Sequence, residues 1–245
     1  MSDTVDSPRI IKPSRQTAGD QAETAVFDAI MDGKIPPGSP LRLHDLAQQL
    51  GMSIMPVREA LRRLEGLGLV EIVAHKGAWV RPLTLEDLYD TYFTRIHLET
   101  LAMRTAAERF TDEDAERARE ALAAHAAARA SGDQVAARNA HERFHFTLYE
   151  ACGSEWLVRS IGPAWRNSER YRVESMRHPE HVRARMEEHG EMLDALIAHD
   201  PDRAGRALIG HLRATVDLIA ANLEVDGDAG GDRELPALAR LLPQP

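Results

Sequence analysis

The 245-residue sequence contains a single cysteine, Cys152, which excludes an internal disulfide framework and fits a reducing compartment. No apolar run approaches the roughly 20 residues that a membrane-spanning helix needs. The first residues also lack the apolar segment of a secretory signal. These absences predict a cytoplasmic protein with no membrane partner.

The net charge of −9 is distributed unevenly along the chain. Residues 83–245 hold twenty basic and twenty-nine acidic side chains, whereas residues 34–82 hold seven basic and four acidic ones. A local excess of cations attracts phosphate, and an acidic surface repels it. We therefore expect the front part to bind nucleic acid and the second part to dimerise or to sense a ligand.

Two short helices separated by a turn are predicted within residues 43–65. Apolar periodicity indicates one helix over Leu43–Leu50 and a second over 54–65, and Gly51 between them is a typical helix stop. An apolar stripe at 21–31 predicts another helix before this pair. Such pairs occur in many folds, so the pair alone does not identify the fold.

A β-hairpin is predicted directly after the helix pair. Two β-rich runs, 70–74 and 78–80, flank His75, Lys76 and Gly77, which have the chemistry of a hairpin turn. Helix, turn, helix and hairpin in this order form a winged helix-turn-helix. Double-stranded DNA is therefore the first partner expected.

The second helix of the pair has one apolar and one polar face. At about 100° per residue, Val57, Ala60, Leu61 and Leu64 fall together, and the opposite face carries Met55, Arg58, Glu59, Arg62 and Arg63. Ser53 is a candidate N-cap. The polar face is either an ordinary solvated surface or the face that enters a major groove, and the basic wing favours the second interpretation.

The second part of the chain is predicted to be helical throughout. Breaks rich in Gly, Pro and Asp separate six segments: 85–110, 112–130, 133–151, 155–176, 179–198 and 202–223. Short loops between them favour an antiparallel bundle. The predicted fold class is mostly α, and its parts are a flexible arm at 1–18, a winged helix-turn-helix at 19–82, an all-α bundle at 83–224 and a loose tail at 225–245.

Four histidines of the predicted bundle lie on apolar helix faces: His141, His145, His189 and His211. Any one of them alone is more often a core histidine bonded to a polar neighbour. Four that converge from three helices instead indicate a metal site. The remaining histidines of the bundle are predicted to lie at exposed faces or helix ends, namely His97, His125, His178, His181 and His199.

A site made only of imidazoles suits Zn²⁺, with Ni²⁺ or Cu²⁺ as alternatives, better than it suits Mg²⁺ or Ca²⁺. Such a site leaves two positive charges that no carboxylate ligand offsets. An anionic ligand is therefore expected beside the metal, and a small organic acid would fit. His141 either ligates the metal or donates a hydrogen bond to water or to the effector.

A second anchor for an anion is predicted on the first helix of the bundle. Arg95 lies near an apolar stripe, and Glu99 comes one turn later on the same side. The two residues form either an ion pair that faces solvent or an effector-binding pair. In the second case the Arg95 guanidinium binds a carboxylate and Glu99 orients it.

A set of short motifs runs through the winged region: the turn 36–41, Leu46-Ala47, the run 56–61, Leu64-Glu65, Gly68-Leu69-Val70 and Gly77. This set resembles the GntR family of bacterial transcription regulators. The resemblance implies DNA contacts by Arg58, by the residues just before it and by the wing turn. The family often has Arg where this chain has Ile54, so other side chains would set the operator preference. The candidate DNA-binding residues are Ser53, Met55, Arg58, Arg62, His75, Lys76 and Gly77.

The bundle carries a second set of motifs: Arg95, Leu98-Glu99, Phe144-His145, the run 151–153, His189, Met192-Leu193 and His211. This set is similar to the FCD ligand-binding domain of the FadR subfamily, and the two resemblances together cover roughly residues 20–224. Many FCD domains bind a divalent metal through an Asp and three His. The resemblance assigns the three His to His145, His189 and His211, and His141 stands where the Asp would be.

The sequence as a whole predicts a homodimeric transcription regulator. Its two winged domains would read a pseudo-palindromic operator, and a small organic acid bound beside the metal would control operator affinity. A metalloenzyme and a sensor of metal alone are the alternatives that use the same histidines. Enzyme activity is not expected, because Glu142 phases outward and Glu188 only neighbours a ligand, so the inward set offers no clear general base.

Overall fold

The computed structural model describes residues 17–175, 179–226 and Pro243. Nearly all of the predicted arm and tail, as well as His178 and the side chain of His181, lies outside these residues. The described chain is mostly helical with one small antiparallel sheet, which confirms the predicted fold class. None of the described helices combines the length and the apolar character that crossing a membrane requires.

The winged helix-turn-helix occupies the front of the described chain. Its helices are α1 (Ala18–Met31), α2 (Leu43–Leu50) and α3 (Ile54–Gly66), and its strands are β1 (Pro40–Leu41), β2 (Val70–Val73) and β3 (Gly77–Val80). α1 begins before the predicted residue 21 because the Thr17 hydroxyl accepts a hydrogen bond from the Asp20 amide and caps the helix. The sheet order is β1-β3-β2.

Strand β1 was not predicted from the sequence. It pairs only Pro40 with Trp79 and Leu41 with Ala78, so it is too short to show an alternating pattern. Pro40 is tolerated because β1 is an edge strand. The hairpin boundary also differs by one residue, since Gly77 pairs with Val73 at the start of β3 and Ala74 belongs to the turn.

The winged core is formed by the apolar face predicted for the second helix. Val57, Ala60, Leu61 and Leu64 are all buried, and they pack in one cluster with the apolar residues of α1 and of the sheet. Burial of this face leaves the opposite side of α3 at the surface.

Within the described residues, six helices form the bundle: α4 (Leu85–Ala107), α5 (Asp112–Ser131), α6 (Gln134–Glu150), α7 (Glu155–Ser175), α8 (Pro179–Ile197) and α9 (Pro201–Asp226). The hydroxyl of Thr84 caps α4 by accepting a hydrogen bond from the Asp87 amide. α4 packs against α6, α7, α8 and α9, while α5 packs mainly on α6. α4 therefore contacts all four of the helices α6 to α9, and each of these has buried polar side chains.

The two domains contact each other through α1 and the link from β3 to α4. Arg138 of α6 forms an ion pair with Asp28 of α1, and its guanidinium lies 5.5 Å from the Phe27 ring centroid. Arg170 of α7 donates hydrogen bonds to the carbonyl of Arg81 at 2.8 Å and to Asp87 at 3.0 Å. The helix that carries His141 and His145 thus touches the winged domain directly.

Candidate DNA-binding surface and metal centre

The polar face of α3 is exposed over its first two turns. Met55 is 67% exposed, and Ser53, Arg58 and Arg62 are also exposed. Ser53 occupies the N-cap position with an extended backbone, but its side chain makes no capping hydrogen bond. The first turn of α3 carries no acidic residue, so nothing there opposes an approaching phosphate.

The wing turn is held by its own backbone. The Lys76 amide donates a hydrogen bond to the Val73 carbonyl at 3.0 Å, and His75 has a φ of 63°, which few residues other than glycine adopt. The side chains of His75 and Lys76 are exposed. Gly77 has a φ of 119°, a conformation that favours glycine at the end of the turn.

A basic cleft separates α3 from the wing. Its volume is about 530 Å³, and its basic lining residues are Arg42, Arg58, Arg62 and Lys76. Leu61, Ala78 and Trp79 contribute apolar lining, and Gly77 also borders the cleft. Ser53, Met55 and His75 lie outside it. The cleft brings four of the seven predicted DNA-binding residues together.

Arg42 and Trp79 are cleft residues that the sequence interpretation missed. Arg42 precedes α2, and only the pairing of β1 with β3 places it beside the wing. The available signal was a basic residue next to a proline-rich turn. Its position beside the wing could not be inferred, because strand β1 was not predicted from the sequence.

Arg63 belongs to the winged fold rather than to the basic cleft. Its guanidinium donates to Asp20 at 2.6 Å and to Glu59 at 2.5 Å, so it joins α3 to α1. The hydrogen bond from Arg63 lowers the pKa of Asp20 to about 2. The exposed face of α3 that remains available for DNA is therefore narrower than its sequence periodicity suggests.

The four predicted metal-site histidines converge in the bundle interior. His141 and His145 project from α6, His189 from α8 and His211 from α9, and all four are buried. Their candidate ligand atoms all lie within 4.8 Å of one another. His145 Nε2 and His189 Nε2 are 3.1 Å apart. In a tetrahedral zinc site with Zn–N distances of about 2.0–2.1 Å, two ligand nitrogens lie about 3.3 Å apart.

Hydrogen bonds to Nδ1 orient two of these imidazoles. Tyr149 donates its hydroxyl proton to Glu99 at 2.7 Å, so its oxygen accepts from His145 Nδ1 at 3.0 Å. His211 Nδ1 donates to Glu188 at 2.7 Å. Both rings therefore keep a lone pair on Nε2, which is the arrangement of a metal-ligating histidine. The sequence interpretation gave Glu188 no such contact, because a contact between α8 and α9 cannot be seen in the periodicity of α8.

Burial keeps these histidines neutral. Desolvation lowers the pKa of His141, His145 and His189 well below 6.5, and nearby charged groups lower it further. Neutral imidazole is the form that binds a metal ion. In the described part of the chain, the Nδ1 atoms of His141 and His189 are buried without a hydrogen-bond partner. Four neutral, converging and partly unpartnered imidazoles can hold a metal ion.

His125 corrects the sequence interpretation, which placed it at an exposed face or helix end. It is buried, its Nδ1 donates to the Ala137 carbonyl at 2.8 Å, and its ring centroid lies 5.3 Å from that of His141. α5 is so rich in alanine that its fully buried positions hold only Ala and His125 and no large apolar residue. The spacing of Ala118, Ala121 and His125 was the available signal.

The Arg95–Glu99 ion pair forms, but it does not face solvent. The two side chains are 4% and 0% exposed, with Nε to Oε1 at 2.6 Å and Nη2 to Oε2 at 3.1 Å. Arg95 Nη1 also donates to the Ser168 hydroxyl at 2.9 Å. Through Tyr149, the Glu99 carboxylate is connected to His145. The predicted anion anchor and the histidines therefore share one buried network.

Trp165 of α7 lies between the two groups. The Arg95 guanidinium carbon is 4.5 Å from the Trp165 ring centroid, and His141 stacks on the same indole at a centroid distance of 5.4 Å. This packing closes one side of the histidine cluster.

Comparisons with known proteins agree with this architecture. The family model for gntR-type bacterial regulatory proteins matches residues 18–80, and the FCD domain model matches residues 90–214. A probable D-xylose utilization operon transcriptional repressor of Paenarthrobacter nicotinovorans is 33% identical over 204 residues, which are 82% of this chain and 88% of that protein. The Escherichia coli regulator McbR is 27% identical over 202 residues, covering 81% of this chain and 91% of McbR.

Solved structures give the same result. The fold matches E. coli McbR/YncC with a TM-score of 0.73 at 25% identity, over 85% of this chain and 100% of that one. A putative GntR regulator of Rhodococcus sp. RHA1 matches with a TM-score of 0.69 at 25% identity, over 83% and 97% of the two chains. These similar proteins are transcriptional regulators and not enzymes. The chain belongs to the GntR family of bacterial regulatory proteins and combines a winged helix-turn-helix with an FCD domain.

Proposed function

We propose that the protein is a homodimeric transcription regulator whose operator affinity is set by a small carboxylate bound beside a divalent metal. The observation that carries this proposal is the shared network of Arg95, Glu99, Tyr149 and His145. It joins a cationic anchor for a carboxylate to the histidine cluster. The proposal places the protein in the cytoplasm, where its DNA partner is found.

The metal ligands would be His145, His189 and His211, with His141 as the fourth. Zn²⁺ is the ion we expect, and Ni²⁺ would also suit four imidazoles. The ion would replace the proton that the contact between His145 Nε2 and His189 Nε2 otherwise needs. Glu188 is bonded to His211 and would support the site without ligating the metal.

The effector carboxylate would bind Arg95. Three of the five N–H groups of this guanidinium donate to Glu99 and Ser168, and each terminal nitrogen carries one more N–H group. An N–H group of this kind suits a carboxylate, and the bidentate contact with Glu99 fixes the plane of the guanidinium.

The DNA-binding residues would be Ser53, Met55, Arg58, Arg62, His75, Lys76 and Gly77. In a homodimer, two copies of α3 would enter successive major grooves of a pseudo-palindromic operator. The effector must bind one arrangement of the winged domains more tightly than the other, because equal affinity shifts no equilibrium. The Arg138–Asp28 pair supports a coupling route, since Arg138 lies one turn from His141 on α6.

Arg58→Ala tests the DNA half of the proposal. We expect it to abolish specific binding, measured by gel shift on the promoter beside the protein's own coding region, at an unchanged melting temperature. Arg119→Ala, an exposed arginine of α5, is the matched control and should bind normally. Retained sequence-specific binding by Arg58→Ala would overturn the assignment of α3.

His211→Ala tests the metal half. We expect this variant to lose the metal that elemental analysis finds in the unmodified protein, whereas His97→Ala, at an exposed position of α4, should retain it. An unchanged metal content in His211→Ala would defeat the site. If metal alone, without any carboxylate, changes operator affinity to its full extent, the protein is a metal sensor and the effector half fails.

A further inference from the structure

The interior beside the histidines contains three acidic side chains that already have cationic or N–H partners. Glu99 accepts from Arg95, Glu169 accepts from Arg172 at 2.8 Å on both oxygens, and Glu188 accepts from His211 and lies 3.1 Å from Arg185. Glu99 and Glu169 are fully buried, whereas Glu188 and a fourth carboxylate, Glu142, are half-buried. The fully buried acids are therefore occupied by the protein's own cations and donors.

Two buried donors in the same region have no acceptor. Trp165 Nε1 and the Tyr92 hydroxyl make no hydrogen bond within the described residues, although both rings are almost fully buried. Both lie against the same cation, because the Arg95 guanidinium carbon is 4.5 Å from the Trp165 ring centroid and 5.1 Å from that of Tyr92. A buried donor without an acceptor is costly, so an acceptor-rich ligand group is favoured here.

The three ion pairs of this interior carry no net charge, because Arg95, Arg172 and Arg185 are matched by Glu99, Glu169 and Glu188. Imidazoles that ligate a metal ion are neutral. A divalent ion adds two positive charges. A monoanion would leave one of them uncompensated in a buried site, whereas a dianion would restore neutrality.

We infer that the effector is a dicarboxylate without an ammonium group. One carboxylate meets the metal, and the other is received by Arg95, Trp165 Nε1 and the Tyr92 hydroxyl. An ammonium group is disfavoured because the two fully buried carboxylates, Glu99 and Glu169, are already paired with Arg95 and Arg172. This inference deepens the proposed function and rests on it.

The test compares ligands that have the same number of carbon atoms. Zinc-loaded full-length protein is titrated calorimetrically with succinate, butanoate and aspartate, and then with glutarate, pentanoate and glutamate. We expect at least one dicarboxylate to bind tenfold or more tightly than both its monocarboxylate and its amino acid. A smaller ratio in both series, or no binding of either dicarboxylate, would overturn the inference.

Removal of single donor groups then locates the second carboxylate. Trp165→Phe and Tyr92→Phe each remove one donor and keep an aromatic ring, and we expect about tenfold weaker dicarboxylate binding. Trp156→Phe makes the same change on the same helix at a residue that is 77% exposed, and it should have no effect. If Trp165→Phe and Tyr92→Phe both bind the dicarboxylate within twofold of the affinity of the unmodified protein, the proposed binding site for the second carboxylate is wrong.

Metal content measured on the same samples separates two kinds of failure. If the unmodified protein binds no zinc, the proposed function fails and the inference fails with it. If zinc is bound and monocarboxylates bind as tightly as dicarboxylates, the proposed function stands and only the inference is overturned.

Discussion

The two domains differ in whether their polar side chains are buried or exposed. The fifteen buried polar or charged side chains of the described residues all lie in α4 to α9, and none lies in the winged domain. The winged core is entirely apolar, and four basic residues of this domain line an exposed cleft. One domain therefore has its candidate site on the surface, whereas the other has its candidate site in the interior.

This difference determines how function and stability are connected. An exposed side chain that contacts DNA contributes little to folding, so its loss removes binding and leaves the fold intact. A buried charge exists only with its partner, so a change in the bundle site alters folding as well as ligand binding. The same kind of substitution should therefore have different consequences in the two domains.

Two ion pairs with the same helical spacing give the sharpest comparison and the largest expected effect. Glu99→Ala leaves Arg95 buried without its carboxylate and removes the acceptor of Tyr149, so we expect a loss of about 3–5 kcal/mol in the free energy of unfolding. Glu59 pairs with Arg63 at the surface, where it is 57% exposed. Glu59→Ala should leave the unfolding midpoint unchanged.

Urea denaturation of the metal-free variants measures both effects under one condition. Equal midpoints for Glu99→Ala and Glu59→Ala would break the comparison, because they would show that the bundle interior tolerates an unpaired charge. A loss in Glu99→Ala alone would support it.

Elements with a repeated pattern could be predicted from the sequence. Val57, Ala60, Leu61 and Leu64 repeat at helical spacing, and all four are buried as that spacing predicts. His141 and His145 repeat in the same way, and the two other histidines of the cluster also lie on large apolar faces. In each case local periodicity alone reports which side of the helix is buried.

Features that depend on contacts between distant segments could not be predicted. The pairing of β1 with β3 places Arg42 at the cleft, and the packing of α8 on α9 joins Glu188 to His211. Burial of Arg95 likewise depends on α7, because Ser168 and Trp165 cover it. A single helix cannot show whether a charged residue at its edge will be covered by a neighbour.

The pH dependence of the free energy of unfolding also tests the bundle interior, and its expected size is intermediate among these predictions. Burial lowers the folded-state pKa of His141, His145 and His189 well below the ordinary value of 6.5. As the pH falls below 6.5, the unfolded chain binds protons that the folded chain does not, so stability decreases. The slope approaches about 1.4 kcal/mol per pH unit for each such histidine.

Urea denaturation of the metal-free protein between pH 7.5 and 5.5 measures this slope. His189→Leu removes one buried imidazole and should flatten the dependence. An unaltered slope in His189→Leu would mean that the unfolding equilibrium does not depend on protonation of this buried histidine.

The smallest effect on stability is expected at the basic cleft, where the effect on DNA binding can still be measured. Arg62 is exposed and lines the cleft with Lys76. If Arg62 neutralises one phosphate, Arg62→Ala should make the negative slope of log affinity against log salt shallower by about 0.9 at an unchanged melting temperature. Arg119→Ala should change neither quantity. A lowered melting temperature with an unchanged slope would mean that the winged domain uses this arginine for folding, and the contrast between the two domains would not hold at this residue.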